Sequence, residues 1–328
     1  MSSNNSPERR ATRDVVIPQL PEATVAKTTT VAEGASKLGY RAVWFGETAG
    51  FDAGMLAGRL SAQVPGMKLM AGPLPAPFRT GPQLAMLAGS LAAYGTEAEI
   101  VLGASSPVIT SQWHGLPRTT VGLLRDLIIS ARQAMSGERT RVEGGQAPTV
   151  GFRPSFPAPT TPIGLAALGP KTLELAGALA DRVVLNFATP ETAPVLLEHV
   201  DAGAEAAGRE RPPVTIWMHV AVDASPEDEA LARRFVSGYL RAPGYIEEFE
   251  RQGFGAITDA AREAPTRELS SLVSDDLLHD LFAMGPASEA RSRAEQYEAL
   301  GIEVAVTPMI RGDHEDLRSM EALRPDVG

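Results

Sequence analysis

Short β-branched runs alternate with longer Ala-rich amphipathic runs along almost the whole chain, and this alternation leaves few folds open. Residues 15–17 read as a strand, 22–38 as a helix that stops at Gly39, and 41–45 as the next strand. The cycle repeats with strands at 67–71 and 99–102, followed by helices near 82–94 and 118–135. In the second half, 163–168, 182–185 and 214–222 read as strands with helices at 171–180 and 191–207 between them. A last strand at 304–307 follows a helix at 288–300. Parallel neighbours need a crossover, and strand–helix–strand repetition supplies one. About eight such strands is the number at which the sheet closes, so an α/β fold of the (β/α)8 TIM-barrel type is expected. An open doubly wound sheet is the alternative.

Two stretches break the rhythm. Residues 138–162 are rich in Gly, Pro and Thr and read as an extended excursion before the fifth strand. Residues 223–284 are long, mostly helical and carry Phe235, Tyr239, Tyr245, Phe249 and Phe254, so a helical insertion is expected between strands 7 and 8. It reads either as a subdomain packing on itself or as a substrate lid or dimer contact. Residues 1–14 are polar and read as a flexible tail, leaving 15–328 as one barrel domain.

Composition narrows the partners. With 328 residues of which 44% are hydrophobic, the chain can bury one large core. Thirty Lys and Arg against forty Asp and Glu give a net charge of −10, which argues against nucleic acid or an anionic membrane as partner and for a small-molecule substrate. There is no Cys, hence no disulfide, thiolate metal site or cysteine nucleophile. The first 14 residues lack the apolar core of a secretory signal and no later run approaches bilayer length, so a cytoplasmic protein is expected.

In a closed parallel barrel the chemistry gathers at the carboxyl ends of the strands. There the sequence places Gly46-Glu47-Thr48, Gly72-Pro73, Gly103-Ala104-Ser105-Ser106, Leu168-Gly169-Pro170-Lys171 and Asn186-Phe187. Small residues at such exits let a flat ligand lie against backbone. The fourth exit runs on to Trp113-His114, a wall and a proton carrier. At Gly169-Pro170-Lys171 a proline in the first helical turn leaves free N–H groups and the positive dipole end for a phosphate, and Lys171 adds charge. No Gly-x-Gly-x-x-Gly follows a strand and no Walker motif occurs. Histidines 114, 199, 219, 279 and 314 show no metal-ligand spacing, so no metal is assigned. Gly103-Ala-Ser105-Ser-Pro107 ends in Pro where a nucleophile elbow needs Gly, which leaves serine hydrolysis a weak option.

Taken together, the stretch from Leu38 to Glu47, the stretch Leu102-Gly-Ala-Ser-Ser-Pro leading to Trp113-His114-Gly115, and Ala166-Ala-Leu168-Gly-Pro170-Lys resemble the bacterial luciferase-like superfamily. Within it they are similar to the branch that uses coenzyme F420, the 5-deazaflavin hydride carrier. The resemblance implies a ring at the barrel mouth, resting on a backbone bulge, often with a cis peptide, after the third strand. The matching positions are Ala71, Gly72 and Pro73. It further implies that Gly103, Ala104, Ser105 and Ser106 line the ring or its phosphate-bearing arm, and that Leu168, Gly169 and Pro170 offer backbone amides. Arg79 and Lys171 become partners for the negative tail, and a homodimer through helices near the second and third strands, including 55–62, is implied too.

Two departures bear on mechanism. Thr48 follows Glu47 where many relatives carry His or Asp, and Pro107 and Val108 stand where sugar-oxidising relatives carry Glu. The expected chemistry is therefore reduction of a C=C or C=N bond of a small metabolite by the reduced cofactor. Glu47 and His114 are the candidate proton donors, and Thr48, Trp113 and Phe187 the candidates for the substrate side. An FMN-dependent monooxygenase and a cofactor-binding barrel without turnover are the alternatives.

Overall fold

In a computed structural model, which describes residues 13–18, 24–157, 159–309 and 317–325, eight parallel strands close on themselves. They are β1 (Asp14–Val16), β2 (Ala42–Phe45), β3 (Lys68–Pro75), β4 (Ala98–Gly103), β5 (Ile163–Ala166), β6 (Val183–Asn186), β7 (Val214–Val220) and β8 (Ile302–Pro308). Each pairs with the next in sequence, and β8 pairs with β1 to complete the ring. The closed α/β barrel is the expected one, and the open sheet is excluded. Residues 1–12, which hold most of the expected tail, lie outside the described residues. Its last two positions behave differently from a tail, because Arg13 is buried against Glu298 at 2.8 Å and Asp14 opens β1.

The helices form where the sequence supplies both a cap and an apolar stripe. α1 (Val25–Lys37), α2 (Ala53–Gln63) and α4 (Val121–Met135) start on the side chains of Thr24, Asp52 and Thr120, each accepting from a backbone N–H one turn on. α3 (Gly81–Ala93) has a full capping box between Thr80 and Gln83. α5 (Pro170–Leu179) begins at Gly169 with proline in its first turn and no side-chain cap, and α6 (Ala193–Ala206) follows β6. Outward strand residues such as Val43, Leu69, Ile100 and Val304 pack under these helices, while Val16, Trp44, Met70, Val101, Val184 and Ala305 fill the barrel.

The amino-terminal end of the barrel is sealed by charge. Asp14 accepts from Arg41 Nε and Nη2 and from Trp44 Nε1, all at 2.9 Å. Arg182 donates to Glu99 at 3.0 Å, Thr215 at 2.7 Å and Glu303 at 2.5 Å, and Arg41 reaches Glu303 at 2.6 Å. Burial pushes the Glu99 carboxyl up despite Arg182 and Lys68 beside it. Glu303 is also raised by its burial, but bonds to Arg41 and Arg182 outweigh this and hold it below the usual range.

The excursion before β5 contains a short antiparallel hairpin, Arg141–Val142 with Thr149–Val150. Asp126 of α4 ties it down by accepting from Gln146 N–H at 2.7 Å. Between β7 and β8 stand α7 (Pro226–Ser237), α8 (Tyr245–Arg251), α9 (Gly255–Glu263), α10 (Leu269–Leu272) and α11 (Asp275–Leu281), ahead of α12 (Ala287–Ala299). They share a core of Ala232, Val236, Phe249, Leu277 and Phe282 that also takes in Phe187 from the barrel rim. The insertion therefore packs both on itself and on the mouth. After α11, Phe282–Ala283 pairs with β7 at His219 and Val220, on the edge that β6 vacates beyond Asn186. Among the described residues no helix is long and apolar enough to cross a membrane. On the α2 and α3 side Met55 and Tyr94 stand 77% and 65% exposed.

Candidate active site at the barrel mouth

The pairing of β3 with β4 slips between Ala71 and Leu74, and the Gly72–Pro73 bond inside this bulge is cis. The bulge thus lies within β3, which runs on to Pro75, rather than after it. Gly72 is the residue this backbone requires. Its φ is +153°, and a Cβ there would meet the Val101 carbonyl oxygen at 2.3 Å. Gly103 ends β4 beside the bulge, where an added Cβ would stand 3.0 Å from Pro73 and 4.0 Å from Ala166. Ala71, Gly72, Pro73 and Gly103 therefore form one wall on neighbouring strands.

Beyond Gly103, Ala104, Ser105 and Ser106 are partly buried, and Ser105 sits at φ +61°. Phe187 after β6 (φ +58°) and Asp223 after β7 (φ +50°) share this left-handed backbone. All three described non-glycine residues of this kind thus stand at strand exits on the mouth side. Such conformations cost about 1–3 kcal/mol and gather where function constrains the chain. Thr119 donates to the Ala104 carbonyl and steadies the turn.

At the next strand, Leu168 and Gly169 lead into α5. Among the described residues other than its chain neighbours, nothing comes within 4 Å of a Cβ placed on Gly169, and Lys171 is exposed in the first turn. The amino end of α5, ten residues long, is open with its N–H groups free of any side-chain cap. This end, Lys171 and the flat wall fit a planar ring with an anionic arm. Gly244, at the start of α8, approaches Leu168 and Gly169, so the insertion borders the same rim.

Glu47 is committed to structure. Its carboxylate takes Arg79 at 2.7 Å through both oxygens and the Ala53 N–H at the start of α2 at 2.8 Å. Its own N–H reaches the Pro73 carbonyl at 3.4 Å. Glu47 and Arg79 lie 32 residues apart, and their pairing takes Arg79 away from the role of tail partner suggested by the sequence. Thr48 is exposed beside them. His114 is exposed too, its ring 4.2 Å from that of Phe78, the neighbour of Arg79. Trp113, at the end of a π-helical turn (Val108–Trp113), is 56% exposed rather than packed in a wall.

Phe187 departs from the sequence reading. It is 2% exposed, stacked on His219 with centroids 4.5 Å apart and ringed by Phe235, Tyr239, Tyr245, Phe249 and Phe282. It joins insertion to barrel instead of offering a face to a ligand. The sequence reading also passed over the inward side of β7 and β8. His219 Nε2 lies 2.8 Å from Asn186 Oδ1, and Asn186 Nδ2 donates to Tyr245 Oη at 3.1 Å. Trp217 Nε1 and Thr307 Oγ1 are buried with no hydrogen-bond partner among the described residues. The only signal for these positions is the period of two that runs Thr215, Trp217, His219. Among the described residues no cluster suited to a metal occurs.

The chain matches the family model described as luciferase-like monooxygenase over residues 6–303. It is 24% identical over 204 residues to the 5,10-methylenetetrahydromethanopterin reductase of Methanolobus tindarius and 26% over 191 residues to that of Archaeoglobus fulgidus. These alignments span 60% and 55% of this chain, and 60% and 57% of those two proteins. Among solved structures it resembles the coenzyme F420-dependent tetrahydromethanopterin reductase of Methanopyrus kandleri, with TM-score 0.76, 18% identity and coverage of 97% and 99% of the two chains. A second is an F420-dependent secondary alcohol dehydrogenase, with TM-score 0.73, 15% identity and coverage of 96% and 97%. With the family model spanning more than half of its length, the chain belongs to the luciferase-like monooxygenase family.

Proposed function

We propose that this protein is an F420-dependent oxidoreductase whose reduced cofactor delivers a hydride to a C=C or C=N bond of a small metabolite. The observation that carries the reading is the β3 bulge at Gly72 and Pro73, set beside Gly103 and the open amino end of α5. The reductases named above add to it. Reduced deazaflavin supplies two electrons as hydride and is poorly reactive with oxygen. The chain's part is to bind and orient. Ala71, Gly72, Pro73 and Gly103 give the ring a flat backing, with Ala104, Ser105 and Ser106 at its edge. Leu168, Gly169, Pro170 and Lys171 receive the anionic arm.

Proton delivery falls to His114, which carries no ion-pair partner among the described residues, whereas Glu47 anchors Arg79 and α2 behind the bulge. A second copy of the chain over the α2 and α3 face, where Met55 and Tyr94 are exposed, completes the proposal. A solution mass of one 34.7 kDa chain would argue against that dimer. The family description and a fold neighbour holding FMN, a Baeyer–Villiger monooxygenase at TM-score 0.63, favour a flavin monooxygenase as the second reading.

An anaerobic acceptor screen separates them. Reduced F420 mixed with the protein and unsaturated acceptors is expected to be reoxidised only when an acceptor is present. His114→Ala is expected to lower kcat about a hundredfold with cofactor affinity kept. An unchanged kcat in that variant moves the proton donor elsewhere. Turnover that needs FMN and consumes oxygen instead favours the monooxygenase.

A further inference from the structure

Side chains alternate along a strand, so the barrel interior can be read off β7 and β8. On β7, Thr215 faces inward to Arg182, Trp217 packs against the inner cluster with its ring 6.1 Å from that of Trp44, and His219 meets Asn186. On β8, Glu303 and Ala305 face inward, which puts Thr307 on the same side one step nearer the mouth. The register pairs Ala305 with Trp217 and Thr307 with His219. Thr307 is only 7% exposed, and its hydroxyl, like the Trp217 indole N–H, has no hydrogen-bond partner among the described residues. In a ring of eight strands β7 stands opposite β3 and β8 opposite β4. These two polar groups therefore face the wall of Ala71, Gly72, Pro73 and Gly103 across the mouth.

The pair is chemically selective. An indole N–H can only donate, so its partner has to be an acceptor. Neither group is charged, and the inward neighbours at their level, His219 and Asn186, are already bonded to each other. Among the described residues no cation is bonded to either group, so a carboxylate or phosphate gains no charge pairing from them, whereas a neutral carbonyl oxygen is the acceptor that suits both. Buried donors left unpaired disfavour any ligand without such an oxygen.

We propose that Trp217 Nε1–H and Thr307 Oγ1–H hold a carbonyl oxygen of the substrate, so the substrate class is a small molecule whose reducible C=C bond is conjugated to a neutral carbonyl. The reaction, though not the recognition, rests on the hydride-transfer reading. The hydride and its electron pair bond to the carbon β to the carbonyl, and the C=C pair shifts toward the α-carbon and the oxygen. Charge collects on that oxygen between Trp217 and Thr307, and a proton from His114, the donor proposed above, then bonds to the α-carbon. Reduced deazaflavin, when bound, would supply this hydride by breaking one of its own C–H bonds, so that it would be oxidised by two electrons and the substrate reduced by two.

The test is an indole ¹H–¹⁵N spectrum of the full chain, which has three Trp, titrated with 2-cyclohexen-1-one and with cyclohexene, with and without F420. Trp217→Phe assigns the resonance, or Trp44→Phe and Trp113→Phe by elimination if that variant does not fold. The Trp217 indole proton is expected to move downfield with the enone and not with cyclohexene. Thr307→Val is expected to raise the half-saturating enone concentration about tenfold without changing F420 affinity. A silent Trp217 resonance, or equal movement with cyclohexene, overturns the proposal even if F420 binds. Enone-specific movement in a protein that does not bind F420 upholds the carbonyl site and removes the hydride-transfer reading instead.

Discussion

Arg182→Ala is expected to destabilise the barrel by about 3–5 kcal/mol, because it strips the guanidinium from a buried carboxylate and leaves the charge without its partner. Glu99 is 3% exposed, and Arg182 is its near contact at 3.0 Å, with Lys68 at 3.7 Å. In a domain of this size such a loss lowers Tm by roughly 10 °C. The sign of its pH dependence follows from Glu99. Burial already raises its folded pKa above the unfolded value, so the folded state holds the proton more tightly. Stability is then full at low pH and declines as pH rises through that window. Removing Arg182 raises the folded pKa further, so the deficit should be larger at pH 7.5 than at pH 5. Denaturant unfolding of Arg182→Ala, Glu99→Gln and the double variant checks this. A double variant as unstable as the sum of the two single ones would show that the pair is not coupled.

His219 gives the opposite slope. Burial among Phe187, Phe235 and Phe282 pushes its pKa down to about 3, against about 6.5 in an unfolded chain. Between these values the unfolded chain takes up a proton that the folded chain refuses. The contribution is complete above pH 6.5 and shrinks by about 1.4 kcal/mol per pH unit below it, so about 2 kcal/mol is lost by pH 5. His219→Gln should be less stable than the parent at pH 7.5, where the bond to Asn186 and the ring stack are disturbed, yet should lack this acid slope. Equal slopes for parent and variant between pH 6.5 and pH 5 would mean that the folded state can protonate His219.

Much of the barrel was legible because its signals are local. Short apolar runs, mostly β-branched, marked the strands, and Gly169-Pro170 announced the start of α5. The Gly72-Pro73 bulge was legible only through family resemblance, since two residues by themselves fit many turns. What the sequence withheld depends on contacts between distant positions. The floor joins Glu99, Arg182 and Glu303, which single charges scattered over 205 residues do not announce. Glu47 read as a candidate proton donor because its pairing with Arg79 follows from how the β2 and β3 exits meet. Phe187 read as a pocket wall because the insertion that encloses it lies some fifty residues downstream. Trp217 and Thr307 were hidden for a simpler reason: one inward polar residue in an apolar strand looks like core until its missing partner is seen.

The central claim is that the bulge on β3, Gly103 and the amino end of α5 together hold a deazaflavin. Equilibrium titration of the protein with oxidised F420 and, separately, with FMN tests it directly. The account predicts saturable F420 binding, FMN binding at least tenfold weaker, and about a tenfold loss of F420 affinity in Lys171→Ala, the size of one charge-assisted contact to an anionic arm. FMN binding the more tightly, or F420 failing to saturate the protein, would contradict it.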